Sequence, residues 1–133
     1  MAKKGLFKKL VAVSSLVTVL VSGSVMAYAA SYTREISLGD SWMESYISAS
    51  NQTAYAGLAT GVTSDMTITA KAIRKDFDGK ETWQNFSGAA DQNTSCSASA
   101  YKGDEQFMYA EGTFRAWGNN DAYNSDYINC SNY

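Results

Sequence analysis

From residue 30 onward, apolar and polar side chains alternate in short runs, and no stretch carries the stripe of an amphipathic helix. Residues 32–38 place Tyr32, Ile36 and Leu38 on one face and Thr33, Glu35 and Ser37 on the other. Gly39-Asp40 turns the chain into 42–49, where Trp42 and Tyr46 oppose Met43, Ile47 and Ala49. A weaker run at 55–62 is loosened by Gly57 and Gly61, and Thr63-Ser64-Asp65 reads as a turn. The strongest local signal follows. Residues 66–86, MTITAKAIRKDFDGKETWQNF, read as two strands folded back through Asp78-Gly79.

Charge selects the register of that hairpin. A two-residue turn would set Asp76 against Glu81 and Arg74 against Trp83, and like charges directly opposed are unfavourable. A three-residue loop, Phe77-Asp78-Gly79 with Gly79 left-handed, instead pairs Asp76 with Lys80, Lys75 with Glu81 and Ile73 with Trp83. Each favourable cross-strand pair contributes about 0.2–1 kcal/mol. The bulged register is therefore expected, with a positive φ at Gly79.

A polar loop at 87–94 separates the hairpin from residues 95–101, where Cys96, Ala98 and Ala100 alternate with Ser95, Ser97 and Ser99. Lys102-Gly103-Asp104-Glu105 reads as a turn. In the long run 106–117, Met108, Ala110, Phe114 and Ala116 form an apolar face. Phe107, Tyr109, Glu111, Thr113, Arg115 and Trp117 form the other. Gly118-Asn119-Asn120-Asp121 turns into a last, less regular strand at 122–130. The spacing predicts an all-β fold, a small antiparallel β-sandwich or flattened barrel of about seven to eight strands.

The first 29 residues stand outside this pattern. Lys3, Lys4, Lys8 and Lys9 precede a twelve-residue apolar run at 10–21, and Ala27-Tyr28-Ala29 supplies an A-x-A cleavage signal. The run is short of the about 20 residues that a membrane span needs. Residues 1–29 are read as a secretory signal peptide and 30–133 as one domain, large enough for a single modest core. Without the leading lysines, seven Lys and Arg remain against thirteen Asp and Glu, a net charge of −6. That balance argues against nucleic acid, whose affinity comes from cations on phosphates, and against anionic lipid. No stable membrane anchor is expected, and free secretion is. Export places Cys96 and Cys130 in an oxidising setting, so they are expected to pair. Closing a loop of about 35 residues would contribute roughly 3–4 kcal/mol.

Candidate chemistry narrows sharply because the chain has no histidine. Ser-His-Asp and Cys-His nucleophiles, histidine acid–base catalysis and histidine zinc sites are all excluded. Ser99-Ala100-Tyr101-Lys102 matches S-x-x-K, which needs its Ser and Lys one helical turn apart; here it lies where a strand enters a turn. Thirteen acidic residues make some carboxylate pair inevitable, but a domain this small leaves little room for a glycosidase cleft. No enzyme and no cofactor is expected. Asp121, Asn124 and Asp126 offer oxygens to Ca²⁺ in a spacing that fits no loop motif, so no metal site is assigned. Asn51, Asn85, Asn93 and Asn129 each begin an N-glycosylation sequon.

The positive signal is aromatic. Eight Tyr, three Trp and four Phe remain beyond residue 29, more than a small core requires. Tyr109, Glu111, Arg115 and Trp117 interleave aromatics with charges on one strand face, which suits stacking on sugar rings or anchoring a protein. The plainer reading is that they decorate the solvent side of a two-layer fold. The expected function is a secreted, non-enzymatic protein binding an extracellular or cell-envelope glycan or protein through this face. Residues 97–127, with AEGTFRAW and AYNSDY, are similar in texture to secreted bacteriocins of the lactococcin 972 type. They share no specific motif with them and lack the histidines of that family. The alternative this implies is a secreted antimicrobial polypeptide.

Overall fold

The computed structural model describes residues 29–101 and 106–133. The expected signal peptide, apart from Ala29, and the expected turn at 102–105 lie outside the described residues. Six antiparallel strands form one sheet curled into a nearly closed barrel: β1 (Ala29–Leu38), β2 (Ser41–Ser50), β3 (Thr53–Lys75), β4 (Glu81–Tyr101), β5 (Gln106–Trp117) and β6 (Tyr123–Ser131). No helix occurs among the described residues.

Among the described residues the strand count is six, not seven to eight, because two expected breaks are bends. Residues 63–65 continue β3, which runs for 23 residues, and 87–94 continue β4, which runs for 21. Polar residues there do not end the strands; they crease both at the same level. The β3–β4 register shifts between Ala59 and Ser64 and again before Met66, as bulges do when they bend a strand. The Thr60 and Ser64 hydroxyls both donate to the Val62 carbonyl, at 2.7 and 2.8 Å. Across the crease, Asp65 accepts from the Gln92 backbone and side-chain nitrogens, both at 2.9 Å, and Gln92 takes a φ of +49°.

The crease divides the sheet. On one side lie β1, β2, the start of β3 and the end of β4; on the other lie the start of β4, the end of β3, β5 and β6. The hairpin takes the bulged register. Lys75 pairs with Glu81 and Ile73 with Trp83, the Asp76 N–H donates to the Lys80 carbonyl, and Gly79 has φ +81°.

Inward positions form the core. Met43, Ile47, Leu58, Met66, Ile68 and Phe114 are buried among many alanines, which let the two halves approach closely. Gly88 shows how closely. A Cβ there would lie 2.3 Å from the Ser97 carbonyl oxygen, so the two halves of β4 touch backbone to backbone. One expected outward residue is inverted. The β3–β5 register slips between Ile73 and Arg74, which pair with Tyr109 and Phe107. The slip turns Phe107 fully into the core and leaves Met108 half-buried.

The expected disulfide is absent. Cys96 and Cys130 are both free and buried, each facing the barrel interior. Cys96 lies opposite Leu58, whereas Cys130 lies opposite Ala110 with its thiol near the backbone of Ala49, whose neighbours across the sheet are Ala54 and then Ala100. Ala100 is four residues along β4 from Cys96, about 13 Å at strand rise. A disulfide requires Cα atoms within about 7 Å. The last strand needs no such tether: β6 is a regular partner of β5 through the turn at 118–122.

Candidate binding surface

The outward positions of β5 lie in the middle of a four-strand face, and the register gives its rows. At one end Trp83, Ile73, Tyr109 and Ser131 align; next come Asn85, Lys71, Glu111 and Asn129; then Ser87, Thr69, Thr113 and Tyr127. Ala89, Thr67, Arg115 and Ser125 follow, and Asp65, Trp117 and Tyr123 close the other end. Strict alternation puts all four expected residues, Tyr109, Glu111, Arg115 and Trp117, on this face. It does not bring them together. Tyr109 and Trp117 are eight residues apart, about 27 Å along the strand.

Each end carries its own aromatic pair. Tyr109 meets Trp83 edge to face with centroids 5.9 Å apart, and Lys71 Nζ lies 4.4 Å from the centre of a Trp83 ring. The Tyr109 and Tyr127 hydroxyls lie 3.4 Å apart. Burial, the Tyr127 hydroxyl and the Glu111 carboxylate hold the Tyr109 phenol well above its ordinary range, so it is a neutral hydrogen-bonding group at physiological pH. At the far end Trp117 stacks on Tyr123, with centroids 5.2 Å apart and planes tilted by 38°. Trp83, Trp117, Tyr123 and Tyr127 are each roughly half exposed.

Between the pairs the face is polar. A shallow depression of about 150 Å³ is lined by Thr69, Lys71, Asn85, Glu111 and Thr113. The Arg115 side chain is exposed and makes no hydrogen bond or ion pair with a described residue. Trp83, Lys71, Tyr123 and Tyr127 complete the surface and were not among the expected residues. Trp83 was hidden by the hairpin's self-sufficiency, since its pairing with Ile73 accounts for it within 66–86. Its alternation with Asn85 and Ser87 carried the signal that it faces outward.

Other candidates are spent elsewhere. The Asp126 carboxylate binds the Arg34 guanidinium, at 2.9 Å from Nε and 2.5 Å from Nη2, and the Asn124 amide donates to the Ser37 carbonyl at 2.8 Å. Asp121 lies in the 118–122 turn with φ +60°. Among the described residues no group of three or more His, Cys, Asp or Glu is placed to hold a metal ion. Ser99 stands on the exposed side of β4, and Lys102 lies outside the described residues. Asn85 and Asn129 sit in one row of the aromatic face, so glycans there would cover it.

Comparison with family models, with curated proteins and with solved structures finds no match to this chain.

Proposed function

We propose that this is an exported, non-enzymatic protein that holds an extracellular or cell-envelope glycan on the outer face of β4, β3, β5 and β6. The observation that carries the reading is two half-exposed aromatic pairs, Trp83–Tyr109 and Trp117–Tyr123, at opposite ends of a strip of hydroxyl and amide side chains. Aromatic faces stack on the C–H faces of sugar rings, and Thr69, Thr113, Asn85 and Asn129 supply the donors and acceptors that hydroxyls need. A protein partner would favour an apolar centre on such a patch, and this centre is polar. Export rests on the signal-like segment 1–29.

Affinity electrophoresis through gels containing soluble polysaccharides tests the reading. Trp83→Ala and Trp117→Ala are each expected to weaken retardation at least tenfold, a loss of about 1.4 kcal/mol, with a cooperative thermal transition retained although each loses an aromatic contact. Tyr109 is the poorer probe because its half-buried ring is also a packing element. Full retention of binding by both tryptophan variants would sink the idea.

A further inference from the structure

A second concave site lies at one end of the barrel, where the β1–β2 turn meets the β5–β6 turn. It encloses about 430 Å³, within the range of small-molecule sites. Val62 and Ala122 form its apolar floor, with Leu38 buried beneath them, and the exposed side chains of Asp40, Asn119 and Asn120 stand at its mouth. The two turns are tied by the Asn124 amide on the Ser37 carbonyl. The 118–122 turn is closed by Gly118 N–H to the Ala122 carbonyl at 2.8 Å and Ala122 N–H to the Asn119 carbonyl at 3.1 Å. Asn120 and Asp121 take φ of +56° and +60° there, as the central residues of a I′-type turn.

The mouth residues have spare bonding capacity. No hydrogen bond or ion pair with a described residue engages the side chains of Asp40, Asn119 or Asn120. Their chemistry restricts the ligand. Among the described residues no cation lines the pocket, so a phosphate, sulfate or carboxylate meets no described group that would neutralise it. One carboxylate is too little charge for a tight divalent-cation site, which draws on several oxygen ligands. A neutral, hydroxyl-bearing ring fits: its hydroxyls donate to Asp40 and accept from the two amides, and its C–H face lies on Val62 and Ala122.

The neighbourhood extends the argument. Gly118 lies against the same floor, where a Cβ would sit 3.3 Å from Leu38 and 3.4 Å from Val62. Trp117 precedes Gly118 and Tyr123 follows Ala122, so their stacked rings begin where the pocket ends. We infer that the pocket is a saccharide-terminus site: it takes the end unit of a neutral glycan, and the next unit reaches the Trp117–Tyr123 pair. This rests on the glycan reading of the outer face and gives that glycan an end and a direction.

Amide-resolved NMR titration of the purified protein tests it, with trisaccharides of glucose, mannose and N-acetylglucosamine and their methyl monosaccharides as probes. With at least one series, resonances of 39–41 and 119–122 are expected to move with the monosaccharide, and the Trp117 and Tyr123 signals only with the trisaccharide. Asp40→Ala and Asn120→Gly, the latter keeping the left-handed backbone, should each weaken binding at least tenfold. Phe77→Ala, in the exposed hairpin loop and in neither site, should leave the monosaccharide response unchanged. Shifts confined to Trp83, Tyr109 and Thr113, with the pocket silent, would overturn this inference and leave the outer-face reading standing. Silence everywhere with every probe would overturn both.

Discussion

The barrel is closed on one side by the crease in β3 and β4 and on the other by the seam between β1 and β6, and the two closures use different bonds. Along the crease, backbone pairing runs from Thr53 opposite Tyr101 to Lys75 opposite Glu81 with only local slips. At the seam no backbone ladder joins the strands. Side chains bridge it: Arg34 holds the Asp126 carboxylate and the Tyr127 carbonyl, and Asn124 holds the Ser37 carbonyl. A ladder spreads its energy over many neutral bonds, whereas a seam of this kind depends on a few groups whose loss leaves partners unsatisfied. The seam is accordingly the side expected to open first, and the crease is expected to fail only with the whole fold.

The largest expected effect strikes the crease. Gly88→Ala drives a methyl into the Ser97 carbonyl, and neither backbone is free to retreat because both belong to the β3–β4 ladder. Overpacking of this kind costs about 2–3 kcal/mol, and urea unfolding should show one cooperative transition at a lower midpoint. A loss under about 0.5 kcal/mol, the ordinary scatter of surface changes, would mean that the two halves of β4 are not packed backbone to backbone.

A milder and more local effect is expected at the seam. Arg34→Met removes the group that bridges β6 and leaves the buried Asp126 carboxylate without its partner. Cys130 reports the result. Its thiol is buried against Ala49 and Ala110, and burial pushes its pKa up to about 11, so alkylation near pH 8 proceeds only through opened molecules. In Arg34→Met, Cys130 should be alkylated several-fold faster, while Cys96, on the crease side, keeps its rate. Equal acceleration of both thiols would show that seam and crease open together, and the comparison would collapse.

The same contrast explains how much of the molecule was legible in its sequence. Local alternation identified the faces of β1, β2 and β6-facing β5 and the inward Cys96, Ala98 and Ala100, because period-two patterning is a property of neighbours. The hairpin register was legible because its charges and its Gly79 are within a few residues of each other. The crease was not, since Thr63-Ser64-Asp65 and 87–94 have the composition of turns and only their mutual pairing makes them strand. Phe107 was placed on the wrong face because Met108 is an extra, unpaired residue in β5, and that shows only in the pairing with β3, more than thirty residues away. Arg34 and Asp126 are 92 positions apart, and no local pattern announces such a bond. The cysteines misled for a related reason: compartment chemistry says that two thiols tend to pair, but only the sheet register says whether they meet. Of the proposed binding surface, the shared outward face of the β5 residues was legible and its continuation onto Trp83 and Tyr123 was not, because a face made of four strands is a tertiary object.

The smallest effect concerns the far end of the ladder, and it separates backbone preference from packing. Gly79 has φ +81°, and a Cβ there would meet only the Lys75 Cε, at 3.9 Å. Gly79→Ala therefore creates no clash, and its cost of about 1–2 kcal/mol is that of holding an L-residue in the left-handed region. Asn tolerates that region better, so Gly79→Asn should cost less than Gly79→Ala. Urea midpoints of the three proteins should rank Gly, Asn, Ala. The alternative for the alanine variant is to avoid the left-handed residue by slipping to the two-residue turn. That slip would set Asp76 against Glu81 and, because side chains alternate, turn Phe86 out of the core and Trp83 into it. Tryptophan fluorescence distinguishes the outcomes. An unshifted emission maximum with a lower midpoint means that the core face of β4 holds the register and the turn merely follows it. A blue shift as Trp83 becomes buried would mean that the turn sets the register for the whole ladder, and the crease side would then be no more robust than the seam.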